Sequence, residues 1–203
     1  MIPKEKCISI QSTESLQLAL DLLEKNQIDA LPVLENGKYK GILNRYIAYR
    51  AFYYSGLSKE EFQVKTTLMD VVTRENIYLS IESVFEESLI QLNDFPIIAV
   101  VEDEQFLGLV TRFDTMDQFR SAFGMNRPGV RITFTSVESE GRIARVSEII
   151  QKFHESVISL VTFDESDKLL RRIVLKIEKR DNIQKFIKEL DRSGFRVLHM
   201  EED

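Results

Sequence analysis

The chain has 203 residues, 43% of them hydrophobic and 30% charged, with 8 Gly and 4 Pro. That composition excludes a disordered or low-complexity protein and leaves apolar material for one large domain or two to three small ones. A net charge of -6 argues against a protein devoted to nucleic acid, whose phosphates call for a basic face, but is compatible with a small phosphorylated ligand held by one or two arginines.

Cys7 is the only cysteine, and His154 and His199 are the only histidines. An internal disulfide is therefore impossible, no metal site is expected, and Cys7 has no evident base to activate it as a nucleophile. The opening "MIPKEKCISI" lacks a signal-peptide core, and no apolar run reaches spanning length. The expectation is a cytoplasmic protein without membrane contact.

In chain order, "CISI" (Cys7 to Ile10) is strand-like. Leu16, Ala19, Leu20 and Leu23 then fall on one helix face. "ALPVLENGKYKGILNRYI" (Ala30 to Ile47) gives an apolar run, an acidic turn, an alternating segment and a glycine. The aromatic run from Tyr46 to Tyr54 predicts a helix face packed in a core or against a second copy. "SKEEFQVK" is a charged connection, expected to be a solvated loop or helix end. A second strand-like piece, "NIYL" (Asn76 to Leu79), follows, and Phe85, Leu89 and Leu92 mark a second helix. "IIAVVEDEQFLGLVTRFD" (Ile97 to Asp114) then repeats the earlier segment at an offset of 67 residues. Each copy reads strand, helix, strand, turn, strand, helix, and their alignment slips by a residue or two upstream.

Gly124, Pro128 and Gly129 punctuate a boundary near residue 126. The remainder reads βαββαβ. Its strands are "VRITFTSV", "SVISLVTF", "LLRRIVLKIE" and "FRVLHM", and the turn "DESDK" joins the middle two. One helix carries Ile143, Val146, Ile150 and Phe153; the other carries Ile183, Phe186, Ile187 and Leu190, closed by Gly194. The expected fold is α/β (α+β): two β-α-β-β-α repeats over 1–60 and 61–125, packed about a pseudo-twofold, then a ferredoxin-like βαββαβ domain over 126–203.

The chemistry concentrates in "GLVTRFD". Thr111, Arg112 and Asp114 stand where a strand gives way to a helix. A helix start leaves N–H groups free for an anion, a carboxylate can accept from a ribose diol, and an arginine can pair with phosphate. Thr and Asp are equally suited to cap the helix, and spacing alone leaves both readings open.

The two copies together resemble a tandem pair of CBS domains, the Bateman module, over roughly residues 1–122. The resemblance rests on "ALPVLENGKYKGIL" and on "GLVTRFD", close to the family's Gly-x-Val-Thr-x-x-Asp signature. It implies that Thr111 and Asp114 hold the phosphate-ribose part of an adenosyl ligand, with Arg112 beside them and Ile77, Tyr78, Ile98 and Ala99 walling the adenine. In the first copy Asn44 replaces the hydroxyl and Ile47 the acid, so one competent site is expected. Asn44, Arg45 and Ala30 mark a second half-site, with Arg45 either reaching a two-phosphate ligand or lying solvated at the surface.

The C-terminal part resembles an ACT domain, with Gly141 in the turn that in that family contacts an amino-acid effector, although Glu140 stands where the family commonly has Pro. The combination resembles AcuB-type bacterial regulators. Together these resemblances imply a non-enzymatic, homodimeric sensor that binds AMP, ADP, ATP or cyclic di-AMP and signals to a protein partner. The alternative is a dimerising structural module with vestigial ligand sites.

Overall fold

The computed structural model describes residues 1–137, 140–165 and 170–203. It forms two compact units, Met1–Met116 and Asp117–Asp203. The division lies inside a helix, upstream of the Gly124 to Gly129 punctuation from which a boundary near residue 126 was read.

In the first unit β1 is Ile2–Pro3, β2 Ile10–Gln11, α1 Leu16–Lys25, β3 Ala30–Glu35, β4 Lys38–Asn44, α2 Arg45–Ser55 and α3 Lys59–Lys65. The second copy supplies β5 Val72–Thr73, α4 Phe85–Gln91, β6 Ile97–Glu102, β7 Gln105–Thr111 and the start of α5, Arg112–Ala122. The repeat is a repeat of register. In the first hairpin Ala30 pairs with Asn44 and Val33 with Gly41; in the second Ile97 pairs with Thr111 and Val100 with Gly108. Each hairpin also carries a register shift just after the glycine pair, between Val33 and Leu34 and between Val100 and Val101. A pseudo-twofold relates the two hairpins where they meet. Tyr39 N donates to Glu104 O at 2.9 Å, and Phe106 N donates to Gly37 O at 3.1 Å, the same bond with the copies exchanged.

The leading strands are exchanged between the copies. β1, ahead of the first copy, pairs with β7 of the second, with Ile2 opposite Leu109 and Pro3 opposite Gly108. β5, ahead of the second copy, pairs with β4 of the first, with Thr73 opposite Ile42. Each crossing passes over a glycine. A Cβ on Gly108 would lie 2.3 Å from Ile2 O, and one on Gly41 would lie 2.5 Å from Val72 Cγ1 and 2.7 Å from Thr73 O.

Two apolar readings change in three dimensions. Of the expected face Phe85, Leu89 and Leu92, only Leu92 is buried, while Phe85 and Leu89 are exposed. The inward position on α4 is Ser88, whose Oγ donates to Phe85 O at 2.6 Å and bonds Thr115 Oγ1 at 3.1 Å. The aromatic run forms α2, in which Tyr46, Tyr49, Tyr53 and Tyr54 are exposed and only Ala48 is buried, so these tyrosines do not face the chain's own core, and the alternative expectation, packing against a second copy, stays a proposal. "SKEEFQVK" is a capped helix: Ser58 and Glu61 form a reciprocal capping box, and Phe62 is buried against Phe52 with ring centroids 5.3 Å apart.

In the second unit β8 is Val130–Val137, α6 Arg142–Lys152, β9 Val157–Asp164, β10 Leu170–Ile177, α7 Ile183–Arg192 and β11 Arg196–Glu202. The sheet order β11-β8-β10-β9, antiparallel throughout, is that of the ferredoxin-like plan. Val146, Ile149, Phe186 and Leu190 pack on Ile132, Phe134, Ile173 and Leu175 to form the core. Gly194 follows α7 with φ +81, the left-handed position a helix end favours. Glu138 and Ser139, and Ser166 to Leu169 with most of the "DESDK" turn, lie outside the described residues.

The last residues of α5 belong to this unit for a physical reason: they cover its sheet. Ser159 Oγ donates to Ala122 O at 2.6 Å, and Phe123 stacks on Phe163 with centroids 5.9 Å apart. Lys176, 3% exposed, donates to Gly124 O at 3.0 Å and to Asp203 Oδ2 at 2.7 Å.

Glu155 is buried just past α6, and neither carboxylate oxygen has a hydrogen-bond partner among the described residues. Burial raises its pKa, against the weaker pull of Asn182 and Arg180. A carboxyl raised in the fold binds its proton more tightly folded than unfolded, so its contribution favours folding at low pH and is lost as pH rises through the raised value. Glu155→Gln is therefore expected to stabilise the protein at pH 7 by about 1 kcal/mol, the scale of an unsatisfied buried polar group, and to match the parent near pH 4. Thermal unfolding of the two proteins across that range checks this.

Candidate functional site

Thr111 ends β7 and caps α5. Its Oγ1 accepts from Asp114 N at 3.0 Å, while Asp114 Oδ2 accepts from Thr111 N at 2.9 Å and from Thr111 Oγ1 at 2.8 Å. This is a reciprocal cap, so the pair fills the capping role open to Thr and Asp at a helix start. It leaves a defined remainder. The Thr111 hydroxyl has spent its proton on Asp114 and retains acceptor capacity, and Asp114 Oδ1 has no hydrogen bond among the described residues. The pair is therefore an acceptor set, complementary to a diol. Thr111 N, Arg112 N and Asp114 N are each hydrogen-bonded, whereas Phe113 N–H by position has no intrahelical acceptor and has no partner among the described residues.

A cleft of about 340 Å³ opens on this motif, walled mainly by Ile8, Ile28, Ala30, Pro96, Ile97 and Phe113, with Thr111, Arg112, Cys7, Lys6 and the acidic Asp29 at its polar positions. Lys6 makes no ion pair among the described residues. Cys7 Sγ donates weakly to Pro3 O at 3.3 Å and Ile2 O at 3.4 Å, and burial raises its pKa, which keeps the thiol protonated.

The arginines do something the sequence did not disclose. Arg112 donates from Nε and Nη2 to Leu92 O at 3.2 and 3.0 Å, and from Nη2 to Asn93 O at 3.1 Å and Phe95 O at 3.3 Å. Arg45 donates from Nη2 to Ile28 O at 2.8 Å, the counterpart of the Phe95 bond, and pairs with Glu24 at 2.8 Å. Both satisfy carbonyls just past the preceding helix of their own copy. Arg45 is thus neither a solvated surface residue nor a free ligand arm, and the Arg112 guanidinium is already engaged.

Of the expected wall residues, Ile98 and Ala99 are buried in the core with no exposed surface, and neither lines the cleft. Ile77 and Tyr78 are not in it either; Tyr78 packs edge-on against Tyr39 with centroids 6.1 Å apart. Ile8 takes the place expected of Ile77. Ile10 pairs with Val33 as Leu79 pairs with Val100, so Ile8 and Ile77 are equivalent positions. The strand exchange brings the first copy's leading segment to the second copy's motif.

In the first copy Asn44 caps α2, its Oδ1 accepting from Tyr46 N at 2.8 Å and Ile47 N at 3.3 Å. Ile47 packs on the cluster of Ala30, Ile42 and Phe95. Ala30, although paired with Asn44 across the hairpin, lines the Thr111 cleft, which Asn44 and Arg45 do not. Gly141 precedes α6 with φ +79 beside a cleft of about 260 Å³ that includes Arg142 and Ser136. Arg142 is engaged there with Ser136 Oγ at 2.5 Å and Gly194 O at 2.7 Å.

The paired hairpins, exchanged leading strands and capped Thr-x-x-Asp turn define a tandem repeat module. A family model described as the CBS domain matches residues 1–52. Among solved structures, the chain is similar to a CBS domain-containing protein of unknown function from Bacillus anthracis str. Ames Ancestor. They are 27% identical, with a TM-score of 0.53 over 59% of this chain and 88% of that one. It is also similar to the CbpB protein of Listeria monocytogenes, solved in complex with c-di-AMP, at 27% identity and TM-score 0.51, over 59% of this chain and 91% of that one. CBSX2, solved in complex with AMP, matches at 20% identity and TM-score 0.51, over 63% of this chain and 95% of that one, a likeness of fold alone. Among the described residues no helix is long and apolar enough to cross a membrane.

Proposed function

We propose that the chain is a non-enzymatic regulatory protein that binds one adenine nucleotide in the Thr111 cleft. The observation that carries this is the spare acceptor set of Thr111 and its hydrogen-bonded partner Asp114, beside an apolar cleft that Thr111 and Lys6 line, Lys6 having no ion pair among the described residues. A ribose diol donates to the acceptors, the base lies between Ile8, Ile28 and Phe113, and phosphate meets Lys6 and the Phe113 N–H. The Listeria CbpB protein, solved with c-di-AMP, supports an adenine nucleotide as the ligand class. The output is a change of population read by a protein partner, and a homodimer is the expected assembly. ACT-like effector binding at Gly141 is a secondary proposal, disfavoured by the engaged Arg142.

Thermal unfolding with AMP, ADP, ATP and cyclic di-AMP tests the reading. A true ligand at a hundredfold over its dissociation constant stabilises the protein by about 2.7 kcal/mol. No shift with any of the four favours the alternative, a dimerising module with vestigial sites.

A further inference from the structure

The first copy's motif is degenerate, but degeneracy alone does not close a cleft. The positions around Asn44 equivalent to the open cleft's walls can be named from the register: Asn44 for Thr111, Tyr46 for Phe113, Phe95 for Ile28 and Ile77 for Ile8. On this side one position differs in kind: Arg74 stands where the register places Pro3 on the other. The Arg74 guanidinium lies over the Phe95 ring, 4.0 Å from its centroid, and Nη1 donates to Gln91 O at 2.9 Å. Its carbonyl accepts from Tyr39 Oη at 2.9 Å. The backbone at Arg74 is left-handed, φ +61, a conformation that costs a non-glycine residue energy and persists only where its surroundings hold it. In the other cleft Ile28 lines the open cavity, and the position equivalent to Arg74 is the uncharged Pro3.

We propose that Arg74, stacked on Phe95, fills the cleft on the Asn44 side and limits the module to one nucleotide per chain. A cation already holding an aromatic face and a helix-end carbonyl must be displaced before a base can lie there. Arg74 is thus a determinant of stoichiometry, acting alongside the missing acid at Ile47. This rests on the nucleotide reading above, and the test separates the two.

Titration calorimetry on three full-length proteins gives the stoichiometry. Wild type is expected to bind one equivalent. The double variant Asn44→Thr, Ile47→Asp restores the motif and is expected still to bind one. Adding Arg74→Gly, which also suits the left-handed backbone, is expected to yield two. Two equivalents in the double variant, or one in the triple, overturn the proposal.

A labelling arm needs neither ligand nor the triple variant. In a Cys7→Ser background, Phe95→Cys is expected to react with a maleimide at least tenfold faster once Arg74→Gly is added, and equal rates overturn the plug. If wild type binds no nucleotide, the functional reading falls, and the labelling rates still decide whether Arg74 covers this cleft.

Discussion

Asp114→Ala is expected to lower nucleotide affinity at least a hundredfold. The ribose diol's bond to Asp114 Oδ1 is charge-assisted, contributing about 1.5–3 kcal/mol, and its second bond, to Thr111 Oγ1, depends on the cap that Asp114 completes. The same substitution removes half of the α5 cap, because Asp114 Oδ2 accepts from both Thr111 N and Thr111 Oγ1. It should therefore also cost about 1 kcal/mol of stability. Asp114→Asn separates the effects. An amide oxygen can still accept from Thr111 N, so melting should move little, while the loss of charge weakens binding at least tenfold. Calorimetric titration and thermal unfolding of both variants check this; unchanged affinity in Asp114→Ala would remove the acid from the site.

Gly108→Ala is expected to detach the leading strand. The new Cβ would sit 2.3 Å from Ile2 O, backbone that cannot yield by a rotamer change. Overpacking of this kind costs about 1–3 kcal/mol. Because β1 leads directly into Lys6, Cys7 and Ile8, which wall the cleft, binding should fall at least tenfold. Gly41→Ala is the control. It meets Val72 and Thr73 at the equivalent crossing and carries φ +136, so it should destabilise the fold more, by about 3 kcal/mol or beyond. Its crossing serves the Asn44 side, so the folded fraction of Gly41→Ala should bind nucleotide as wild type does. Equal loss of binding in both variants would mean that the strand exchange does not build the site.

Much of this molecule was legible in the sequence because its signals are local. The 67-residue offset runs unbroken from Ala30 and Ile97 to Asn44 and Thr111, since a hairpin fixes its register through neighbouring residues. The βαββαβ order of the C-terminal unit follows from periodicity and Gly194. What periodicity could not disclose was partnership at a distance. Nothing in "CISI" or "NIYL" says which copy's motif each leading segment lies beside, so the sequence points to Ile77 and Tyr78 where the cleft is lined by Ile8. Arg45 and Arg112 stand beside ligand-like motifs, but their partners are carbonyls of the preceding helix end, and backbone acceptors leave no trace in side-chain identity. Phe85 and Leu89 have helical spacing, yet the inward position is Ser88, paired with Thr115 across the fold.

The account rests on one nucleotide in the Thr111 cleft. A crystal structure of the full chain with the most stabilising of the four nucleotides tests it most directly. The account predicts density for one ligand per chain, its ribose against Asp114 Oδ1 and its base between Ile8, Ile28 and Phe113, with Arg74 still over Phe95. Density at Asn44 and Arg45 with the Thr111 cleft empty would contradict it.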